Sequence, residues 1–278
     1  MADGRIHFCP LCSGSSGNAT YVASGKTSLL IDCGRSGRHL SRCLAEIGVE
    51  LESISAVLLT HEHTDHIQAI SVLARSLGIP IYASVGTWFA IMKKGKAEKI
   101  DKRCIKVFES NGALFPLDLG DLEVSFFPVP HDAKDPVGYR VSNGSTAVAI
   151  ATDTGHITSE MRRSLRGVPL VLLEANHDVE MLKRGPYTAV LKRRVLSDVG
   201  HLSNDNAGLL ATELATTGTK RIYLGHLSKE NNRPELAWNT VASVLKANSL
   251  DPRSDVEVLM TRRDEPSRLS HVSAAAVE

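Results

Sequence analysis

Between Leu58 and Ile67 the chain reads Leu-Leu-Thr-His-Glu-His-Thr-Asp-His-Ile, which puts four candidate metal ligands, His61, His63, Asp65 and His66, within six residues. Imidazole and carboxylate together suit zinc, and manganese or iron are compatible with the same set. A surface loop with incidental histidines does not account for so dense a run. The segment follows an apolar stretch, Ala56 to Leu59, and leads into Ile67, Ile70, Leu73, Ala74 and Leu77 at helical spacing, closed by Gly78 and Pro80. If the strand runs on into the motif, its period of two puts His61 and His63 on one side. The turn into the helix then aims Asp65 and His66 at a neighbouring point. That arrangement favours two adjacent cations over one. Two ions about 3.5–4 Å apart can hold a hydroxide between them and lower the proton cost of making it. The expected chemistry is hydrolysis at a phosphorus or carbonyl centre.

Other segments carry weaker signals. Asp32 ends the run Ser28-Leu29-Leu30-Ile31 and is either a partner for a histidine imidazole or a simple turn residue. In Gly200-His201-Leu202-Ser203-Asn204, Ser203 can cap a helix that starts near Asn204, leaving backbone N–H groups and the positive helix end near His201. A phosphate would be stabilised there, and His201 could give a proton to a leaving oxygen; a purely structural helix entrance is the alternative. Ser13 to Asn18, with Ser15 and Asn18 in front, could offer hydroxyl and N–H groups to phosphate or form a plain turn. His177 could touch substrate or support a ligand, and Ser228 and Asn232 could meet phosphate or cap local structure.

The motif His-x-His-x-Asp-His resembles the hallmark of metallo-β-lactamase-fold hydrolases. That resemblance implies an α/β fold, a four-layer αββα sandwich. It also implies two divalent metal ions, zinc or manganese, with iron possible. Carried over by motif, His61, His63 and His131 would hold the first ion, Asp65, His66 and His226 the second, and Asp153 would bridge them. Asp65 would also orient the attacking hydroxide. The stretches Ser13 to Asn18, His131-Asp132-Ala133 with Pro136-Val137-Gly138, Leu173 to Asp178, Gly200 to Asn204, and His226-Leu227-Ser228 with Asn231-Asn232 resemble the YycJ/WalJ-like branch of that fold. The branch implies a double-stranded DNA 5′-to-3′ exonuclease, with DNA as partner. The Gly200 segment is similar to the Gly-His-Ser-Thr motif of tRNA 3′-processing nucleases, with Leu202 inserted. A lactone, ester or thioester hydrolase built on the same centre is the alternative function.

The positioning elements are short. Ile6 to Cys9, Ser28 to Asp32 and Ala56 to Leu59 read as strands in the first third, with Leu40, Cys43, Leu44 and Ile47 as a helix face. Leu122 to Phe127 and Thr146 to Ala151 are strands that lead to His131 and Asp153. Later come a strand over Leu170 to Leu173, helices over 179–184, 187–196 and 204–216, a strand at Arg221 to Leu224 before His226, a helix opening at Pro234, and a last strand over Val256 to Met260. Pro186 and Pro234 both suit a first helical turn. One domain is expected over 1–261, with a flexible polar and alanine-rich tail over 262–278.

With 32 Lys and Arg against 31 Asp and Glu, bulk charge decides nothing about nucleic acid. Basic groups at Lys93-Lys94, Lys96, Lys99, Lys102-Arg103 and Lys106, and again at Arg162-Arg163, Lys183-Arg184 and Lys192-Arg193-Arg194, could steer a DNA backbone or be solvated helix faces. Trp88 and Phe89 could stack on bases, though a core anchor is the simpler role. No apolar run is long enough for a membrane span, and no secretory leader is evident, so a cytoplasmic enzyme is expected. Five scattered cysteines do not form a disulfide framework, and Cys9-Pro-Leu-Cys12 is read as buried thiols rather than a zinc or redox pair.

Overall fold

Apolar runs broken by glycine and aspartate fold into two sheets. In the computed structural model, which describes residues 4–110 and 116–278, the strands are β1 (Ile6–Cys12), β2 (Ala19–Ser24), β3 (Thr27–Ile31), β4 (Ala56–Leu58), β5 (Ile81–Ser84), β6 (Ile105–Phe108), β7 (Leu117–Leu119), β8 (Leu122–Pro128), β9 (Val137–Ser142), β10 (Ala147–Ala151), β11 (Leu170–Glu174), β12 (Arg221–Gly225), β13 (Glu257–Met260) and β14 (Ser270–Val272). The helices are α1 (Gly37–Glu46), α2 (Thr64–Ile67), α3 (Ile70–Leu77), α4 (Val85–Lys93), α5 (Ser159–Leu165), α6 (Val179–Arg184), α7 (Ala189–Val195), α8 (Asn204–Thr216) and α9 (Pro234–Ala247).

One sheet has the order β14-β1-β2-β3-β4-β5-β6 and the other β13-β12-β11-β10-β9-β8-β7. Each changes character partway. In the first, neighbours are antiparallel from β14 to β3 and parallel from β3 to β6. In the second they are antiparallel from β7 to β10 and parallel from β10 to β13.

The central strands are apolar on both faces because both faces are covered. Leu29 and Ile31 point between the sheets, where they meet Val148, Leu172 and Tyr223, while Leu30 points out to Leu40, Leu44 and Leu73 under α1 and α3. Leu170 and Leu172 do the same in the second sheet, with Val171 and Leu173 facing Leu165, Leu210 and Val241 of α5, α8 and α9. Three apolar layers thus separate four structural ones, giving the expected αββα sandwich. No helix of the described residues is long and apolar enough to cross a membrane.

Several local expectations need correction. The strand before the histidine motif ends at Leu58, so His61 and His63 lie in a loop, and strand alternation is not what places them. The helix expected from Ile67 is broken at Gln68 and Ala69 into α2 and α3, although Gly78 closes it at a left-handed φ of 65°. Pro234 opens α9, but Pro186 lies before α7, whose cap is Thr188. The tail is not idle. Ser270–Val272 pairs with β1, placing Val272 opposite Ile6 and Ser270 opposite Phe8. An uncovered β1 edge is a strong acceptor for any short alternating segment; the alanine-rich end of the chain hides that signal. All five cysteines are buried free thiols, and burial pushes Cys9 up to about 12.

Candidate metal centre

The parallel strands of both sheets end at one edge of the sandwich, the usual place for a site in such sheets. Asp32 follows β3, the 61–66 loop follows β4, Asp153 follows β10, Glu174 ends β11 and His226 follows β12. Asp32, Asp153 and His226 turn the chain sharply, with φ of 63°, 57° and 54°. Side chains other than glycine's resist that region, so three such residues at one site mark stored strain where side chains must be aimed. Gly34 lets the turn after β3 press against the motif loop: a Cβ there would sit 1.6 Å from the Asp65 carbonyl oxygen.

Residues far apart in sequence converge here. Ligand atoms lie within 4.8 Å of one another in the groups His61, His63 and His131; Asp65, His66 and His226; His61, His66 and Asp153; and Asp153, Glu174, His201 and His226.

The hydrogen bonds of the rings fix which nitrogens face inward. His66 Nδ1 lies 2.8 Å from Asp32 Oδ2, and His131 Nδ1 lies 3.0 Å from the Gly200 carbonyl. His226 Nδ1 lies 2.9 Å from Glu174 Oε1, and His61 Nδ1 lies 3.0 Å from Thr60 Oγ1, whose own proton is directed to Asp32. Carbonyl and carboxylate oxygens only accept, so each of these Nδ1 atoms carries a proton and Nε2 is the nitrogen left to face inward, where that of His66 also meets Asn18 Nδ2 at 3.0 Å. His61 Nε2, His226 Nε2 and Asp153 Oδ2 are buried with no hydrogen-bond partner among the described residues. His131 Nε2 faces Asp132 Oδ1 at 3.3 Å and His63 Nδ1 at 3.4 Å. Acceptors buried against acceptors need a cation between them. The residues and the fold therefore fit divalent metal ions.

The pocket is electrically lopsided. Burial, reinforced by neighbouring rings, holds His61 and His63 below the ordinary histidine value. At the other end burial also opposes charge, but Asp32 and Asp153 outweigh it and raise His66 to about 9, and Asp153, Asp65 and Glu174 raise His226. Asp65 is held well below the carboxylate range despite its burial, by His226 and His66.

Sequence reading missed Glu174. Its Oε1 also takes His201 Nδ1 at 2.8 Å, and its Oε2 accepts the Thr154 and Leu202 backbone N–H groups at 2.8 and 3.1 Å. A lone acid closing the apolar run Leu170 to Leu173 was the available signal. Thr60 and Asp132 were missed as well.

The remaining expectations divide. A cleft of about 270 Å³ is lined by His63, Asp65, Asp153, His201 and His226, with Ser15, Asn176 and Ser228 along one side. Asn18 is buried under it, accepting from Gly14 N and reaching Asp65 O and His66 Nε2. Of the two roles read for Asn232 the contacts match the local one: its amide bonds Ala175 O, Asn204 and Arg233 N and braces loops. His177 is buried behind the cleft, where its backbone bridges to Ser203, and burial lowers it to about 4. Ser203 caps α8 by accepting from Asn206 N. Trp88 is a core anchor bonded to Lys106 O, whereas Phe89 is 58% exposed. Lys96 reaches Thr64 of the motif loop.

Comparison with known proteins agrees with this geometry. A family model described as "Beta-lactamase superfamily domain" matches residues 27–227. The chain is 40% identical to exodeoxyribonuclease WalJ of Streptococcus pneumoniae serotype 2 over 272 residues, 98% of this chain and 100% of that protein. It is 37% identical to exodeoxyribonuclease YycJ of Bacillus anthracis over 268 residues, 96% and 99% of the two. Among solved structures, the metallo-β-lactamase fold protein YhfI of Bacillus subtilis superposes with a TM-score of 0.69 at 21% identity, covering 95% of this chain and 99% of that one. Human tRNase Z, short form, gives 0.64 at 16% identity over 95% and 98%. The chain belongs to the WalJ/YycJ family of exodeoxyribonucleases, within the metallo-β-lactamase superfamily of hydrolases.

Proposed function

We propose that this protein is a metal-dependent phosphodiesterase that degrades double-stranded DNA from its ends in the 5′-to-3′ direction. The observation that carries the reading is the coincidence, in one cleft, of a buried set of bare acceptors with a histidine held by a buried carboxylate. The names of two relatives matched along nearly their whole length support DNA as substrate.

His61, His63 and His131 would hold one divalent ion, Asp65, His66 and His226 a second, with Asp153 between them; the mixed donor set suits zinc or manganese, and iron is compatible. Such ions, when bound, supply Lewis acidity that eases formation of a nucleophile from water and offsets phosphate charge. Asp65, held as a carboxylate, accepts a hydrogen bond from the attacking water and orients it. His201 serves the other side of the phosphorus. Burial alone would lower it, but Glu174 at 2.8 Å more than compensates and raises it, favouring the imidazolium. Its Nδ1 proton stays on the ring, donated to Glu174 Oε1, so the Nε2 proton is the one transferred to the leaving sugar oxygen as the P–O bond breaks. Glu174 thus orients His226 and charges His201 with one carboxylate.

The test is a substrate panel with metal-reconstituted protein: end-labelled single- and double-stranded DNA, RNA, a small phosphodiester and a lactone. Processive loss of label from duplex 5′ ends, abolished by chelation and by His61→Ala, is expected. Robust lactone turnover without nuclease activity, lost in His61→Ala, would sink the assignment in favour of a small-ester hydrolase.

A further inference from the structure

Beside the candidate ligands, the cleft has a second wall made of Tyr187, Leu191, Arg194 and Val195. Their spacing of four, seven and eight residues puts them on one face of α7 and the turn before it. Within that row the Arg194 side chain makes one hydrogen bond among the described residues: its Nε lies 2.5 Å from Asp132 Oδ2, while the side chain remains 54% exposed. Its two Nη groups have no partner among the described residues. The other Asp132 oxygen leans toward the centre, 3.3 Å from His131 Nε2 and 4.0 Å from His63 Nε2. The guanidinium is thus tethered at the rim of the cleft with most of its donors unused.

We propose that Arg194 is the residue by which this site recognises a phosphodiester, exchanging Asp132 for a substrate phosphate oxygen when a DNA end enters. The inference rests on the phosphodiesterase reading above. An ion pair this exposed is weak, so giving it up costs little. A phosphate accepts two parallel N–H bonds from a guanidinium fork, a stronger and more directional contact than the single Nε bond it replaces. The departing charge is not stranded, because Asp132 remains part-exposed and its other oxygen already leans toward His131 and His63. Leu191 and the half-buried Tyr187 ring continue the same row, offering an apolar surface and a flat face to the attached sugar and base. An uncharged ester gives Arg194 nothing to exchange for, so the residue selects substrate class and does not act on the reacting bond.

Steady-state kinetics of the metal-loaded enzyme on 5′-labelled duplex DNA, run over a range of salt, test the idea with Arg194→Ala, Arg194→Lys and Asp132→Asn. Arg194→Ala should raise KM about tenfold or more with little change in kcat, the signature of lost ground-state binding through a charged contact. It should also reduce the slope of log KM against log salt by about one, the loss of one phosphate contact. Arg194→Lys should restore the slope and only part of the KM. Asp132→Asn discriminates a merely structural bridge. If Arg194 only anchored the His131 loop through Asp132, the asparagine variant would reproduce the Arg194→Ala defect; on the exchange reading its slope stays that of the wild type. Wild-type nuclease activity with unchanged KM and slope in Arg194→Ala overturns this inference alone. A wild-type protein that degrades no DNA overturns the reading beneath it.

Discussion

The two sheets share a plan but load the site differently. In each, the strand at which pairing turns from antiparallel to parallel, β3 or β10, is followed within two residues by an aspartate with left-handed backbone, Asp32 at φ 63° and Asp153 at φ 57°. Their fates then diverge. Asp32 is saturated by donors: Thr60 N and Oγ1 bind it at 2.8 and 2.9 Å, and His66 Nδ1 at 2.8 Å. Asp153 Oδ2 is buried with no hydrogen bond among the described residues, and only the His66 Nε2 face lies near it, at 3.3 Å. One backbone device therefore yields a supporting carboxylate where the neighbours supply donors and a cation-seeking one where they do not.

That contrast can be broken by exchanging each aspartate for asparagine. Asp153→Asn should bring turnover to background and reduce the number of ions bound, read by metal analysis of the dialysed protein. Asp32→Asn should keep the stoichiometry and weaken binding by about 10–100-fold, the usual cost of losing a histidine's outer partner. Equal loss of stoichiometry in the two variants would erase the distinction. Between these extremes lies the arm built wholly by the second sheet and its loops. His201→Ala should lower kcat by about 10²–10⁴-fold, the range for a general acid, with metal content intact. Glu174→Gln should do at least as much harm, since it also releases His226. In a double-mutant cycle the two losses should not add, because one acts through the other; additive losses would separate Glu174 from the proton path.

The same contrast explains what could be read in advance. The first sheet delivers four ligands in one six-residue segment, a local pattern that needs no fold to be noticed. The second delivers His131, Asp153, Glu174, His201 and His226 from five separate places. His131, Asp153 and His226 were reached through resemblance and the apolar runs before them, and His201 through the helix entrance at Ser203. Glu174 was passed over because an acid at the end of Leu-Val-Leu-Leu has no visible partner until β11 lies between β10 and β12. Arg194 was visible only as one of three consecutive basic residues, since a helix face needs a register before it has a side. Alternation failed at His61 and His63 for a related reason: the strand stops at Leu58, and the hydrogen bonds of Thr60 to Asp32 shape the loop beyond it.

The smallest expected effect on catalysis concerns how the sheets are joined away from the site. The last strand belongs to the first sheet through β1, yet it is held by side chains of the second. Arg221 of β12 donates to Ser270 Oγ and to the Glu278 carbonyl at 2.8 Å each, and Tyr223 OH lies 2.7 Å from Ser270 Oγ. Arg221 is only 3% exposed with that segment in place and keeps Glu257 as its remaining partner when the segment is removed. Removing residues 270–278 forfeits those hydrogen bonds, at about 0.5–1.5 kcal/mol each. For a chain of this length each kcal/mol lowers Tm by roughly 2–4 °C, so a drop of several degrees is expected in a melting scan. Metal binding and kcat/KM should stay as in the full chain, because the deleted segment contributes nothing to the cleft. The bare β1 edge should also promote self-association, visible by light scattering. An unshifted Tm would mean that the strand only rests on the sandwich, and lost metal binding would mean that the two sheets hold their aspartates in register through it.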